Sequence, residues 1–146
     1  MRIVFDTNVL ARFHHLAFGP ARRVLLHVVS GSDVLILSQH LLQELERILA
    51  YPRLLKRSGL TPFDISEYLD YLARASTLVD PLPVPKDVLR DETDYPVLGT
   101  ALAGKAEVIC TRDADFFAEN VRRFSAEGGI RILTDLELLR SLGIQP

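Results

Sequence analysis

Short apolar runs set between helical patterns constrain this chain most. Val34–Leu37 (VLIL) is apolar at every position, too short for a helix and without the alternation of a half-exposed strand. That is the pattern of a strand covered on both faces. Arg2–Phe5 (RIVF), Glu107–Cys110 (EVIC) and Ile130–Leu133 (IRIL) read as further strands, and Thr77–Val79 as a short one. Segments of helical period separate them. The alternation predicts an α/β fold with a central, mostly parallel β-sheet flanked by helices and joined by right-handed crossovers. A length of 146 residues suits one domain, residues 1–146, with a real core. No repeat, linker or low-complexity segment divides it.

Helices are expected from Val9 to about His15 and over Ala21–Ser30, where Val24, Leu25 and Val28 face inward and Gly31 stops the turn. Ser38 caps a helix whose buried arc is Leu41, Leu42, Leu45, Ile48 and Leu49. Arg53–Arg57 adds another turn or two, closed by Gly59. Thr61 and Pro62 then start a longer helix to about Ala75. Asp80–Pro85 holds three prolines and must be a loop or edge segment. Beyond it, Val97, Leu98, Ala101 and Leu102 fall at helical spacing, and Ala114–Ala118 turns helical with Phe116 and Phe117 against the sheet. Thr134–Leu142 is a terminal helix with a Thr134–Glu137 capping box.

Carboxylates gather where strands end and helices begin: Asp6 after the first strand, Asp94 before the Val97 helix, and Asp113 and Asp115 after the Glu107–Cys110 strand. Asp6 is either a helix N-cap or a group at the carboxyl edge of the sheet, where ligands bind in open α/β folds. Asp94 lies within the arc of its helix's apolar stripe, a costly place for a carboxylate without a partner or a metal. It can also be read as that helix's N-cap, and Asp91 as a turn residue. Glu44 and Glu46 flank the arc of the Ser38 helix on opposite sides, and helical geometry does not choose between them. Several carboxylates converging at one edge would raise one another's pKa, and a hard divalent cation, Mg²⁺ or Mn²⁺, resolves the repulsion with oxygen ligands.

Other chemistries lack support. His14, His15, His27 and His40 do not fall in a zinc-ligand pattern, and Cys110 is the one cysteine. There is neither a nucleophile elbow nor a glycine-rich phosphate loop. A phosphoaspartyl enzyme would want a second Asp two places after Asp6, where Asn8 stands. The net charge of −2 carries no overall basic signature of a nucleic-acid binder. Four metal-bound carboxylates would leave 17 basic against 15 acidic groups, and 14 of the basic ones are arginine, which suits bidentate phosphate contacts. A single cysteine within a strand fits the reducing cytoplasm, and no apolar run has the length of a membrane span.

Taken together, four motifs carry a family resemblance. Phe5-Asp6-Thr7-Asn8-Val9-Leu10 resembles the opening of PIN-domain nucleases. Ser38-Gln39-His40-Leu41-Leu42-Gln43-Glu44-Leu45 resembles their second acidic motif and selects Glu44. Arg90-Asp91-Glu92-Thr93-Asp94 with Val97, Leu98 and Ala101 resembles the third, and Thr111-Arg112-Asp113-Ala114-Asp115 the fourth. They run in order over nearly the whole chain and look most like the VapC-like toxins of type II toxin–antitoxin pairs. The resemblance implies a PIN-like α/β/α sandwich and an Mg²⁺- or Mn²⁺-dependent endoribonuclease. On it, Asp6, Glu44, Asp94 and Asp113 hold the metal, with Asp115 as a fifth acid. Asn8 and Thr111 orient carboxylates, and basic side chains hold RNA, for which Arg53, Lys56, Arg57 and Arg112 are the candidates. It also implies a cognate antitoxin and a homodimer. Two details depart from the pattern: Tyr95-Pro96 follows Asp94 where many relatives carry another acid, and Gly99 stands where alanine is more usual.

Overall fold

The computed structural model describes residues 1–14 and 16–145. Five strands, β1 (Arg2–Phe5), β2 (Val34–Leu37), β3 (Ser76–Leu78), β4 (Val108–Cys110) and β5 (Arg131–Leu133), form one parallel sheet in the order β3-β2-β1-β4-β5. Ile3 pairs with Leu35 on one side and Val108 on the other. Ile3, Val4 and Phe5 are all fully buried. Successive strand side chains point to opposite faces, so both faces of β1 are covered.

Eight α-helices surround the sheet among the described residues: α1 (Thr7–Leu10), α2 (Pro20–Ser30), α3 (Gln39–Leu49), α4 (Pro52–Ser58), α5 (Pro62–Ala75), α6 (Tyr95–Ala103), α7 (Glu119–Glu127) and α8 (Asp135–Ser141). Helix α6 lies on β1, β2 and β4, and α7 on β5, while α2 packs on β2 and on α8. None of the helices is long and apolar enough to cross a membrane. The order places a switch point between β1 and β4: the chain leaves β1 toward β2 and leaves β4 toward β5. The loops therefore diverge at the carboxyl ends of these two strands and open a crevice there.

Sequence features set most boundaries. Ser38 Oγ accepts from the Leu41 amide and starts α3, and reciprocal capping boxes start α5 (Thr61 with Asp64) and α8 (Thr134 with Glu137). Gly59 closes α4 at φ 71°, a left-handed position that favours glycine. The structure departs from expectation in several places: β4 and β5 each begin one residue later than expected, and Ile48 is only half-buried. Helix α1 begins earlier and is shorter than the expected Val9–His15 segment, because Phe13 turns into the core, edge-on to Phe5 at 4.9 Å; His15 itself lies outside the described residues. Strand β3 begins one residue earlier than expected, although the Val79 amide still reaches the Leu37 carbonyl at 2.9 Å. The segment Ala114–Phe117 is a 3-10 turn, burying Phe116 but only half-burying Phe117, whose ring lies 5.1 Å below the Arg122 guanidinium. Helix α7 was not expected, although Val121, Phe124 and Ser125 fall at helical spacing and face inward; most of the segment is polar and exposed.

Gly99 is explained by the proline-rich loop. The Leu82 amide donates to the Gly99 carbonyl at 3.0 Å. A Cβ at Gly99 would stand 2.4 Å from the Leu82 carbonyl oxygen and 3.1 Å from Pro81 Cβ. The missing side chain thus lets Asp80–Pro85 lie flat on α6. Alanine is the better helix former by about 1 kcal/mol, but the collision is with backbone. Gly99→Ala is expected to lower the unfolding free energy by about 1–3 kcal/mol, the usual cost of overpacking, measured by urea denaturation.

Candidate metal centre

The pairing of Phe5 with Cys110 puts the ends of β1 and β4 side by side. Asp6 follows β1 and is 5% exposed. Its Oδ1 accepts from the Thr7 amide at 2.7 Å and so caps α1. Its Oδ2 accepts from Thr111 Oγ1 at 2.7 Å and from Asn8 Nδ2 at 3.4 Å. The cap and the sheet-edge readings of Asp6 therefore both hold, one oxygen for each. Thr111, fully buried after β4, donates to Asp6 and accepts from the Asp113 amide at 3.0 Å. One hydroxyl thus sets the orientation of Asp6 and the path of the loop carrying Asp113. The Asp115 amide in turn donates to Asp113 Oδ1 at 3.0 Å.

Asp94 arrives from the other side. Asp91, exposed, caps a 3-10 turn over Glu92–Asp94 by accepting from the Thr93 amide at 3.0 Å, and that bond holds its carboxyl below the usual range. Asp94 stands at the N-cap position of α6, as one reading of the sequence has it, but its side chain makes no capping bond there. Its Oδ2 is buried without a hydrogen-bond partner. Carboxylate oxygens of Asp94, Asp113 and Asp115 lie within 4.8 Å of one another. Burial, then the charges of Asp113 and Asp6 and a hydrogen bond with the Asp113 side chain, push the Asp94 carboxyl from 3.8 up to about 7. Burial also raises Asp6, against the hydrogen bonds from Thr111 and Thr7.

Glu44 is half-buried, and it too is raised by burial and by the charge of Asp6, with Arg47 4.0 Å away as a partial counter-charge. Glu46 is exposed and lines a separate groove beside Asp70. The three closest acids are therefore Asp94, Asp113 and Asp115, with Asp6 in the field of Asp113 and Asp94, and Glu44 further out in the field of Asp6. A cluster of oxygen donors with a buried, unpartnered oxygen and mutual repulsion fits a hard divalent cation. Among the described residues no histidine joins it, so zinc is not favoured.

Asp135 carries a part that the sequence reading missed. It is 2% exposed, at the start of α8, and accepts from both Arg112 Nε, at 2.8 Å, and Arg112 Nη2. That bond raises the Arg112 pKa further. Arg112 stands between Thr111 and Asp113, and its amide meets Asn8 Oδ1 at 3.4 Å, so the pair anchors the loop of the acidic cluster to α8. Asp135 follows a strand end at the same sheet edge as Asp6 and Asp113, which was the available signal. Of the other basic candidates, Arg57 lines a groove together with Arg112, whereas Arg53 and Lys56 are exposed on α4 and do not line it.

Two outcomes follow from this electrostatics. In EDTA the folded protein binds a proton at Asp94 more tightly than the unfolded chain does. The resulting stability is complete below about pH 3.8 and is lost as pH rises through about 7. Wild type minus Asp94→Asn should therefore lose on the order of 1 kcal/mol between pH 5.5 and pH 8, after allowance for solvent screening, in paired thermal melts. Arg112→Ala strands the buried Asp135 carboxylate and should cost about 2–4 kcal/mol in urea, less than a fully buried pair because Arg112 is 38% exposed; Asp135→Asn should cost less than Arg112→Ala.

A family model described as PIN domain matches residues 2–115. The match runs from β1 through Asp115 and stops short of Asp135. No curated protein matches the chain.

Proposed function

The chain belongs to the PIN-domain family, and from its acidic cluster we propose that it is a metal-dependent endoribonuclease. The observation that carries the reading is the gathering of Asp94, Asp113 and Asp115 carboxylate oxygens within 4.8 Å of one another, with Asp94 Oδ2 buried and unpartnered. Asp94, Asp113 and Asp115 would hold Mg²⁺ or Mn²⁺, with Asp6 and Glu44 as the surrounding acids. The bound ion would supply Lewis-acid charge that makes a water more acidic and offsets the charge gathering on phosphate oxygens. Thr111 donates to the Asp6 carboxylate and accepts from the Asp113 amide, while Asn8 supports Asp6 from the α1 side. Glu44, half-exposed with a raised pKa, is the group able to hold or release a proton at the rim. Hydrolysis by this constellation joins a water oxygen to phosphorus and releases the ribose oxygen with a proton.

RNA as substrate, and a toxin role, rest on the likeness of the four motifs to VapC-like toxins. An antitoxin that inserts an arginine or a helix among the acids would be complementary to so anionic a site, and a homodimer belongs to the same proposal. Labelled structured and single-stranded RNAs, incubated with Mg²⁺, Mn²⁺ or EDTA, test the activity. Asp94→Asn and Asp6→Asn are expected to stay folded and lose more than about 100-fold in turnover, and Thr111→Val about 10–100-fold, as for groups that orient metal ligands. Unchanged turnover in Asp94→Asn would remove Asp94 from the mechanism.

A further inference from the structure

Next to the acids lies a groove of about 340 Å³ between the α1–α2 connection and α4. Arg12, Arg57 and Arg112 line it, and among the described residues no aspartate or glutamate does. Arg112 is also the residue between Thr111 and Asp113, so the groove and the acidic cluster share the β4 loop as a common wall. Asp135 neutralises Arg112 and fixes its fork. Arg12 and Arg57 enter no ion pair among the described residues and leave the groove net positive. At the same groove Phe18 is 97% exposed, flanked by Leu16 and Leu54. A single bare ring on a surface is ordinary; one beside two uncompensated arginines and a candidate phosphodiester-cleaving centre has the composition of a single-strand binding track. Such tracks combine cationic contacts to the backbone with an aromatic platform for a base.

We propose that this groove seats a single-stranded polynucleotide on its way to the acidic cluster, with backbone phosphates on Arg12 and Arg57 and one base stacked on Phe18. The proposal rests on the nuclease reading, whose substrate path it names. Charge decides the occupant. A cluster charged with a divalent cation attracts the phosphate that the arginines hold, whereas an acidic peptide gains nothing there that a phosphate chain does not. A duplex keeps its bases stacked and leaves Phe18 without a partner, which selects the single strand.

The test is fluorescence anisotropy of the full chain in EDTA, so that binding is read apart from cleavage. The probes are an end-labelled oligouridylate, the DNA oligomer of the same length, an RNA duplex, and oligoglutamate as competitor. Arg12→Gln and Arg57→Gln should each lower the slope of log affinity against log salt by about 0.7, one phosphate contact on a single strand. Phe18→Ala should weaken oligouridylate about 5- to 100-fold with the slope unchanged. Duplex should bind more weakly than the single strand. Single-stranded DNA binding with the same variant pattern would support the track and make the base and phosphate, not the ribose hydroxyl, its ligands. Unchanged affinity and slope in the arginine variants would overturn the proposal, as would duplex bound as tightly as single strand, or oligoglutamate displacing RNA with the same dependence on Phe18. If the variants lose binding while no RNA is ever cleaved with metal, the track stands and the nuclease reading falls. If cleavage is normal and binding is untouched by all three changes, the nuclease reading stands and the track falls.

Discussion

Repulsion among carboxylates at one edge of a parallel sheet governs this molecule. Parallel strands deliver all their carboxyl ends to the same edge, and the β3-β2-β1-β4-β5 order opens a crevice between β1 and β4. Asp6 and Asp113 leave those two strands, and Asp94 enters from the start of α6. The fold meets part of the cost with neutral donors: Thr7 and Thr111 on Asp6, and the Asp115 amide on Asp113. It leaves Asp94 Oδ2 buried and unmet. A group kept in that state by the surrounding packing is preorganised for a cation, because binding removes repulsion rather than creating strain.

The supporting structure holds this arrangement from both sides. Toward α6, the Leu82–Gly99 contact seats the proline-rich loop on the helix, and Asp91 caps the 3-10 turn that leads into Asp94. Toward α8, the Arg112–Asp135 fork ties the Asp113 loop to a helix outside the family match. A buried ion pair of this kind is weak support for stability, since its desolvation offsets most of its attraction. Its effect lies in fixing where the neighbouring loop stands.

The fold class was legible because four-residue apolar runs and capped helices repeat along the chain. Ser38, Thr61 and Thr134 were readable as caps, and each one caps. The gathering of Asp6, Asp94, Asp113 and Asp115 was expected from strand ends together with one helix start. Helical periodicity did not choose Glu44 over Glu46, because both flank the same arc; the likeness of the second motif did, and the structure leaves Glu44 half-buried in the field of Asp6 with Glu46 exposed. Helix α7 escaped although Val121, Phe124 and Ser125 fall at helical spacing, because one inward position is a serine and most of the segment is polar. Asp135 escaped because its partner lies 23 residues away in sequence. Gly99 read as an anomaly until the backbone of Leu82 was seen to cross it.

The central claim is that the cluster binds a divalent cation through Asp94. Its most direct measurement is calorimetric titration of EDTA-stripped protein with Mn²⁺ at neutral pH, in buffers of differing ionisation enthalpy. A saturable site in wild type that releases a fraction of a proton, because Asp94 is part-protonated near its pKa of about 7, and that is lost in Asp94→Asn, is the predicted result. No saturable binding, or equal binding by the variant, would contradict the account.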